Sequence, residues 1–97
     1  MSRVSDKPYF VYVLWSVSGR RFYIGISEDP PRRLEQHNAG KIAGWTKRHR
    51  PWELVFTESH PDYGSARRRE LELKAQKGGK GLFAKTRLDP RRFDRGS

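Results

Sequence analysis

The 97-residue chain contains no cysteine and has only 11 Asp and Glu to set against 21 Lys and Arg. Without thiols there is no disulfide scaffold, no thiolate-bound zinc, no iron–sulfur cluster and no cysteine nucleophile. Apolar residues are also scarce, at 34%. No run of them approaches the ~18 residues that a membrane span needs, and no signal-peptide core follows the start. The expectation is a soluble, cytoplasmic domain with no membrane partner. At this length one compact unit should bury about 60 to 65% of its unfolded surface. Its apolar material is concentrated in rings, with three Trp, four Tyr and five Phe. Each ring buries much area, so a small dense core is within reach.

Positive charge is what the chain has in excess. A formal net charge of +10 attracts polyanions, nucleic acid first among them. A generic basic protein, or one bound to the ribosome, is the blander alternative. An acidic membrane surface fits less well, because no amphipathic helix with bulky apolar anchors is found.

Residues 1–8 read as a flexible N-terminal lead-in. Tyr9 to Trp15 is an aromatic and β-branched run, too short for a typical helix. It reads as a strand covered on both faces, with Phe10, Tyr12 and Leu14 on one side and Val11, Val13 and Trp15 on the other. Ser16 to Arg20 is a turn with Gly19 as its permissive position, and Arg21 to Ile26 is the return strand of a hairpin. Asp29-Pro30-Pro31 starts a helix that should end at Gly40. Residues 41–51 form a basic loop. Trp52 to Thr57 is a third strand and Glu58 to Gly64 a loop. Ser65 then caps a helix from Ala66 to about Lys77, ended by Gly78-Gly79. Residues 81–97 form a basic tail. Arg91, Arg92 and Arg95 read as solvated, while Leu82 and Phe83 have the option of folding back. The order predicts an α/β (α+β) fold, a small three-stranded antiparallel sheet flanked by helices.

Several residues stand out on shared faces. Tyr12 and Tyr23 sit among apolar residues, each with a hydroxyl that is costly to bury unpaired; two core tyrosines are the simpler reading. Gly25 interrupts a good strand, as at a bulge or at a close approach of a backbone or ligand. Arg33 and His37, four apart, share a helix face, which is solvated in the simpler case. Glu70 lies within about 60° of Ala66 and Leu73 on the helical wheel, so it borders the core. Pairing with Arg67 or Lys74 along its own helix would also account for it.

Taken together, Phe10-Val11-Tyr12, Tyr23-Ile24-Gly25, Arg33 with His37-Asn38, and Glu70 after an arginine run resemble the GIY-YIG nuclease superfamily. The segments DPPRRLEQHNAGK and ARRRELELK are similar to its small single-domain bacterial members, themselves akin to the nuclease domain of a DNA-repair excinuclease. The resemblance covers residues 9–80. Phe10 stands where the first motif has glycine, and Val11 where it has isoleucine.

The resemblance implies a metal-dependent endonuclease that hydrolyses a DNA backbone through one Mg2+ or Mn2+ ion. By the same likeness Tyr12 is the general base, and Tyr23 positions the water or the scissile phosphate. Arg33 neutralises the phosphate, His37 supports the water or tyrosine network, and Glu70 binds the metal. These roles suit a phosphodiester, whose developing charge needs a cation and a planar guanidinium. The basic loop supplies a guide for the strand: Lys41, Lys47, Arg48 and Arg50 surround Trp45, which either stacks on a base or packs on the hairpin. Arg67 and Arg68 extend the cationic surface. DNA is favoured over RNA, and structure-selective cleavage in repair or recombination over readout of a defined site. Two other readings stay open, a non-catalytic nucleic-acid-binding module and a subunit of a larger repair complex. Lys47→Ala should weaken nucleic-acid binding generally and reduce the salt slope by about one unit; a titration across salt concentrations checks this, and an unchanged slope removes the lysine from the contact surface.

Overall fold

A computed structural model describes residues 7–42, 44–76 and 79–93, with those at 45, 79 and 80 described by backbone alone. Most of the expected lead-in, Lys77-Gly78 and Arg95 lie outside the described residues, and the helix expected to reach about Lys77 ends at Lys74, where the Ala75 amide bonds the Leu71 carbonyl. Strand β1 (Tyr9–Ser16) is central in a sheet of order β2-β1-β3, with β2 (Arg21–Ser27) and β3 (Trp52–His60) antiparallel to it. Val11 to Ser16 are all buried, as expected of a strand covered on both faces.

The alternation of β1 divides the core. Val11 and Val13 pack with Ala66, Leu73 and Leu82 on one face, while Tyr12 and Leu14 pack with Trp52 on the other. Helix α1 (Pro30–Asn38) covers the Tyr12 face and helix α2 (Tyr63–Lys74) the Val11 face. A register shift opposite Val13 and Leu14 leaves Val55 as the extra residue in β3, so Val55 and Phe56 both reach the Val11 cluster. A bulge of this kind breaks strict alternation.

The signals at the ends of α1 act as expected. Asp29 accepts from the Arg32 amide, Pro30 and Pro31 fill the first turn, and Gly40 adopts φ 75°. The Gly40 amide bonds the His37 carbonyl and the Lys41 amide bonds the Gln36 carbonyl. These two bonds close the helix with a left-handed glycine turn.

Other boundaries differ from expectation. Strand β3 continues to His60, because Glu58, Ser59 and His60 pair with Val11, Phe10 and Tyr9. The polar run that reads as a loop is held by Arg69, whose Nε meets the Glu58 carboxylate at 2.9 Å. Helix α2 starts at Tyr63, capped by Asp62, whose carboxylate accepts from the Ser65 amide at 2.8 Å. Ser65 is thus the third residue of the helix and not its cap. That amide bond also lowers the Asp62 pKa. In the hairpin turn the positive φ (54°) falls on Arg20, while Gly19 lies against the His49 ring.

The basic tail contains structure that its composition does not announce. Helix α3 (Gly79–Thr86) buries Leu82 in the Val11 cluster, and its Phe83 stacks on Phe93. Phe93, 6% exposed, also meets Trp15 and Phe22 at ring-centroid distances of 5.0 and 5.1 Å. Arg91 and Arg92 are exposed, as expected. Arg69 bonds the Lys85 carbonyl and the Glu72 carboxylate as well as Glu58, tying α2, α3 and β3 together. Phe93→Ala should lower stability by about 3 kcal/mol, read as a lower urea midpoint at unchanged slope; an unshifted midpoint would mean that the tail adds nothing to the fold.

Candidate active site

Register places Tyr12 opposite Gly25 and Leu14 opposite Tyr23, so both motif tyrosines share the α1 face. A Cβ on Gly25 would lie 2.7 Å from the Tyr12 hydroxyl oxygen and 2.8 Å from its ring. Tyr12 therefore lies across the neighbouring strand at the one position without a side chain. The close approach anticipated at Gly25 is made by a tyrosine ring, not by a backbone or a bulge.

Above this floor, α1 turns its Arg33–His37 face inward. His37 is fully buried and Arg33 half-buried, so the solvated alternative does not hold. His37 Nε2 lies 3.3 Å from the Tyr12 hydroxyl, and Nδ1 lies 3.4 Å from Thr46 Oγ1. The Tyr23 ring packs against the imidazole at 4.8 Å between centroids. Burial, then the Arg33 charge, lower the His37 pKa below its ordinary 6.5, so the ring is neutral at neutral pH. A neutral ring donates from one nitrogen and accepts at the other. With Nδ1–H donating to Thr46, Nε2 accepts the Tyr12 O–H.

Tyr12 is itself 1% exposed. Burial, then the nearby Tyr23, push its pKa up to about 12 against a hydrogen bond and charge from Arg33; Glu70 adds a smaller upward effect. This runs against a simple picture in which Arg33 acidifies the phenol. A phenol this weak as an acid needs an acceptor for its own proton, and His37 is in place to be one.

Glu70 comes from the other side of the sheet. With Ala66 and Leu73 it forms the buried face of α2, and it is 6% exposed, as the helical wheel indicates. One carboxylate oxygen meets Arg67 Nη1 at 2.7 Å and the other meets Lys74 Nζ at 3.0 Å. The pairing along its own helix is therefore real. Both cations are about half exposed (48% each), so their side chains are free to swing outward. Among the described residues no cluster of three or more His, Asp or Glu forms a cation cage. A lone buried carboxylate suits a hard cation that keeps most of its water and takes further oxygens from a phosphate. It does not suit a tetrahedral zinc site.

The remaining cations divide by use. Lys41, Lys47 and Arg48 are exposed, the last two on a 3-10 turn (Trp45–His49) beside the C-terminal end of α1. The side chain of Trp45 lies outside the described residues. Arg50 bonds the Lys47 and Asn38 carbonyls, closing the loop onto α1. Arg67 is held by Glu70, and Arg68 is exposed.

One residue of the site, Thr46, escapes a reading of the motifs, and Asn38, which the motif contains, has a role the motif does not state. Thr46, 2% exposed, holds His37 through its hydroxyl and Trp52 Nε1 through its carbonyl. Asn38 clamps the Trp52 backbone, accepting from its amide at 2.6 Å and donating to its carbonyl at 3.0 Å. The available hint is that Thr46 is the one hydroxyl residue in the basic stretch 41–51.

A model of the GIY-YIG catalytic domain matches residues 8–82. The chain belongs to the GIY-YIG family. It is 39% identical to an UPF0213 protein of Staphylococcus epidermidis over 66 residues, which are 68% of this chain and 79% of that one. An UPF0213 protein of Staphylococcus aureus is 38% identical over the same shares. The solution NMR structure of an UPF0213 protein from Bacillus halodurans is 33% identical, covers 75% of this chain and 77% of that one, and superposes with a TM-score of 0.47. No helix among the described residues of this GIY-YIG protein is long and apolar enough to cross a membrane.

The depressed His37 pKa has a consequence for stability. The folded state favours the neutral ring, so its contribution is complete above 6.5 and is lost as pH falls through the lower folded value. Stability followed by denaturation should therefore decline below about pH 6.5, and the His37 ring resonances should titrate below that value. Titration at or above it would contradict the buried, neutral imidazole.

Proposed function

We propose that this chain is a metal-dependent endonuclease that hydrolyses a DNA backbone, choosing substrates by structure, in repair or recombination. The observation that carries this reading is the Tyr12 hydroxyl, buried at 3.3 Å from His37 Nε2 with the Arg33 guanidinium beside it. In the proposed step Tyr12 Oη takes a proton from the attacking water while its own proton passes to His37 Nε2. The phenol thus need never exist as a free phenolate, which its raised pKa would disfavour. Thr46 Oγ1, 3.4 Å from Nδ1, is placed to accept from Nδ1–H, the tautomer in which Nε2 takes the proton. Arg33 neutralises charge building on the phosphate oxygens, with a geometry that lysine would not match. Tyr23, packed on His37, orients the water or the scissile phosphate. A divalent cation held by Glu70, Mg2+ or Mn2+, would supply Lewis-acid stabilisation of the same oxygens. Arg67 and Lys74, now neutralising Glu70, would be released towards phosphate when the carboxylate takes a cation.

The double clamp on Glu70 favours a second reading, a nucleic-acid-binding module in which the carboxylate serves only to position two cations. One experiment separates the two. Flapped, nicked, single-stranded and supercoiled DNA are incubated with Mg2+, Mn2+ or chelator, using wild type and Glu70→Ala prepared identically. Metal-dependent cuts that fall by at least ~100-fold in the variant, with binding retained, are the expected outcome. Binding without cuts in either protein would leave the binding module.

A further inference from the structure

A second surface of the molecule has ligand-binding chemistry that the motif residues alone do not account for. Along the outer edge of β2 runs a groove of about 840 Å³, within the size range of small-molecule sites. Its aromatic wall is built by the tail folding back: Phe83 and Phe93 stack at 5.6 Å with planes 7° apart, and Phe22 meets both edge-on. Phe22 and Phe83 remain half-buried, so the rings are not used up by the core. Arg20, Arg21 and Lys74 also line the groove, and among the described residues no acidic side chain does. Tyr23 lines it too, while the Lys74 ammonium reaches Glu70 at 3.0 Å. Tyr23 is thus common to the groove and the candidate site, and Lys74 links the groove to Glu70.

Resting on the nucleic-acid reading above, we propose that this groove is a subsite for an unpaired nucleobase of the strand being cut. The base stacks on the Phe83 wall, and its flanking phosphates lie against Arg20 and Arg21. An aromatic wall alone would suit any apolar guest. A cationic rim around that wall favours a guest that is flat and apolar at its centre and anionic at its ends, which describes a nucleotide within a strand. Every base has a π-face, so such a subsite selects for strand exposure and not for sequence. A paired base keeps its faces inside the stack and cannot enter.

The test compares binding of a ten-residue oligothymidylate with that of a decamer of abasic tetrahydrofuran sites carrying the same phosphates. The full chain is used in EDTA, so cleavage does not intervene. Wild type should bind the thymidylate about tenfold more tightly, and Phe83→Leu, which keeps apolar bulk but removes the ring, should erase that preference while holding the abasic strand equally well. Should Phe83→Leu not fold, ring-proton shifts of Phe22 and Phe83 in wild type decide the matter: they should move with thymidylate and stay with the abasic strand. Equal affinities for the two strands, or unmoved ring resonances, overturn the proposal. Metal-dependent, Glu70-dependent cleavage alongside equal affinities sinks the groove alone, whereas a base preference without cleavage supports the groove and removes the nuclease.

Discussion

The Tyr12 hydroxyl and the His37 imidazole are buried together between the sheet and α1, where an unmade hydrogen bond costs about 1 to 3 kcal/mol. Much of the local architecture follows from keeping that pair satisfied. Gly25 has no side chain because the Tyr12 ring lies over it. Helix α1 stops at Gly40 with its last carbonyls bonded, and Asn38 pins this end to the Trp52 backbone. The chain then turns through residues 45–49 and delivers Thr46 to the far nitrogen of the imidazole. A buried polar chain of this kind is stable only when every member has a partner. For the same reason it fixes which nitrogen faces the phenol.

Electrostatics on the two faces are handled differently. On the α1 face a neutral imidazole and a protonated phenol sit beside one guanidinium, so the fold buries hydrogen-bonding groups without burying a lone charge. On the α2 face Glu70 is buried as a carboxylate, balanced by Arg67 and Lys74. The surplus of +10 is thus not a uniform coat. Arg50, Arg67 and Arg69 are tied into backbone carbonyls or carboxylates, whereas Lys41, Lys47, Arg48 and Arg68 are exposed. Surface ion pairs contribute little individually, but here their partners include a buried carboxylate and helix and strand ends, where they set position more than stability.

What the sequence by itself determined is what depends on near neighbours. Asp29-Pro30-Pro31 and Gly40 delimit α1, because capping and left-handed turns involve residues three to five apart. Alternation assigns the faces of β1, and helical phase puts Glu70 beside Ala66 and Leu73. The family resemblance groups Tyr12, Tyr23, Arg33, His37 and Glu70 as one candidate set. Tertiary structure alone decided what depends on distant partners. Tyr12 and His37 are 25 positions apart, Val55 becomes a bulge only against β1, and Glu58–His60 is strand only because Tyr9–Val11 offers an edge there. Phe93 becomes core because Trp15 and Phe22 receive it. Local chemistry specifies how each segment can fold, but which cations are spent on carboxylates and which nitrogen meets the phenol is settled by packing between segments.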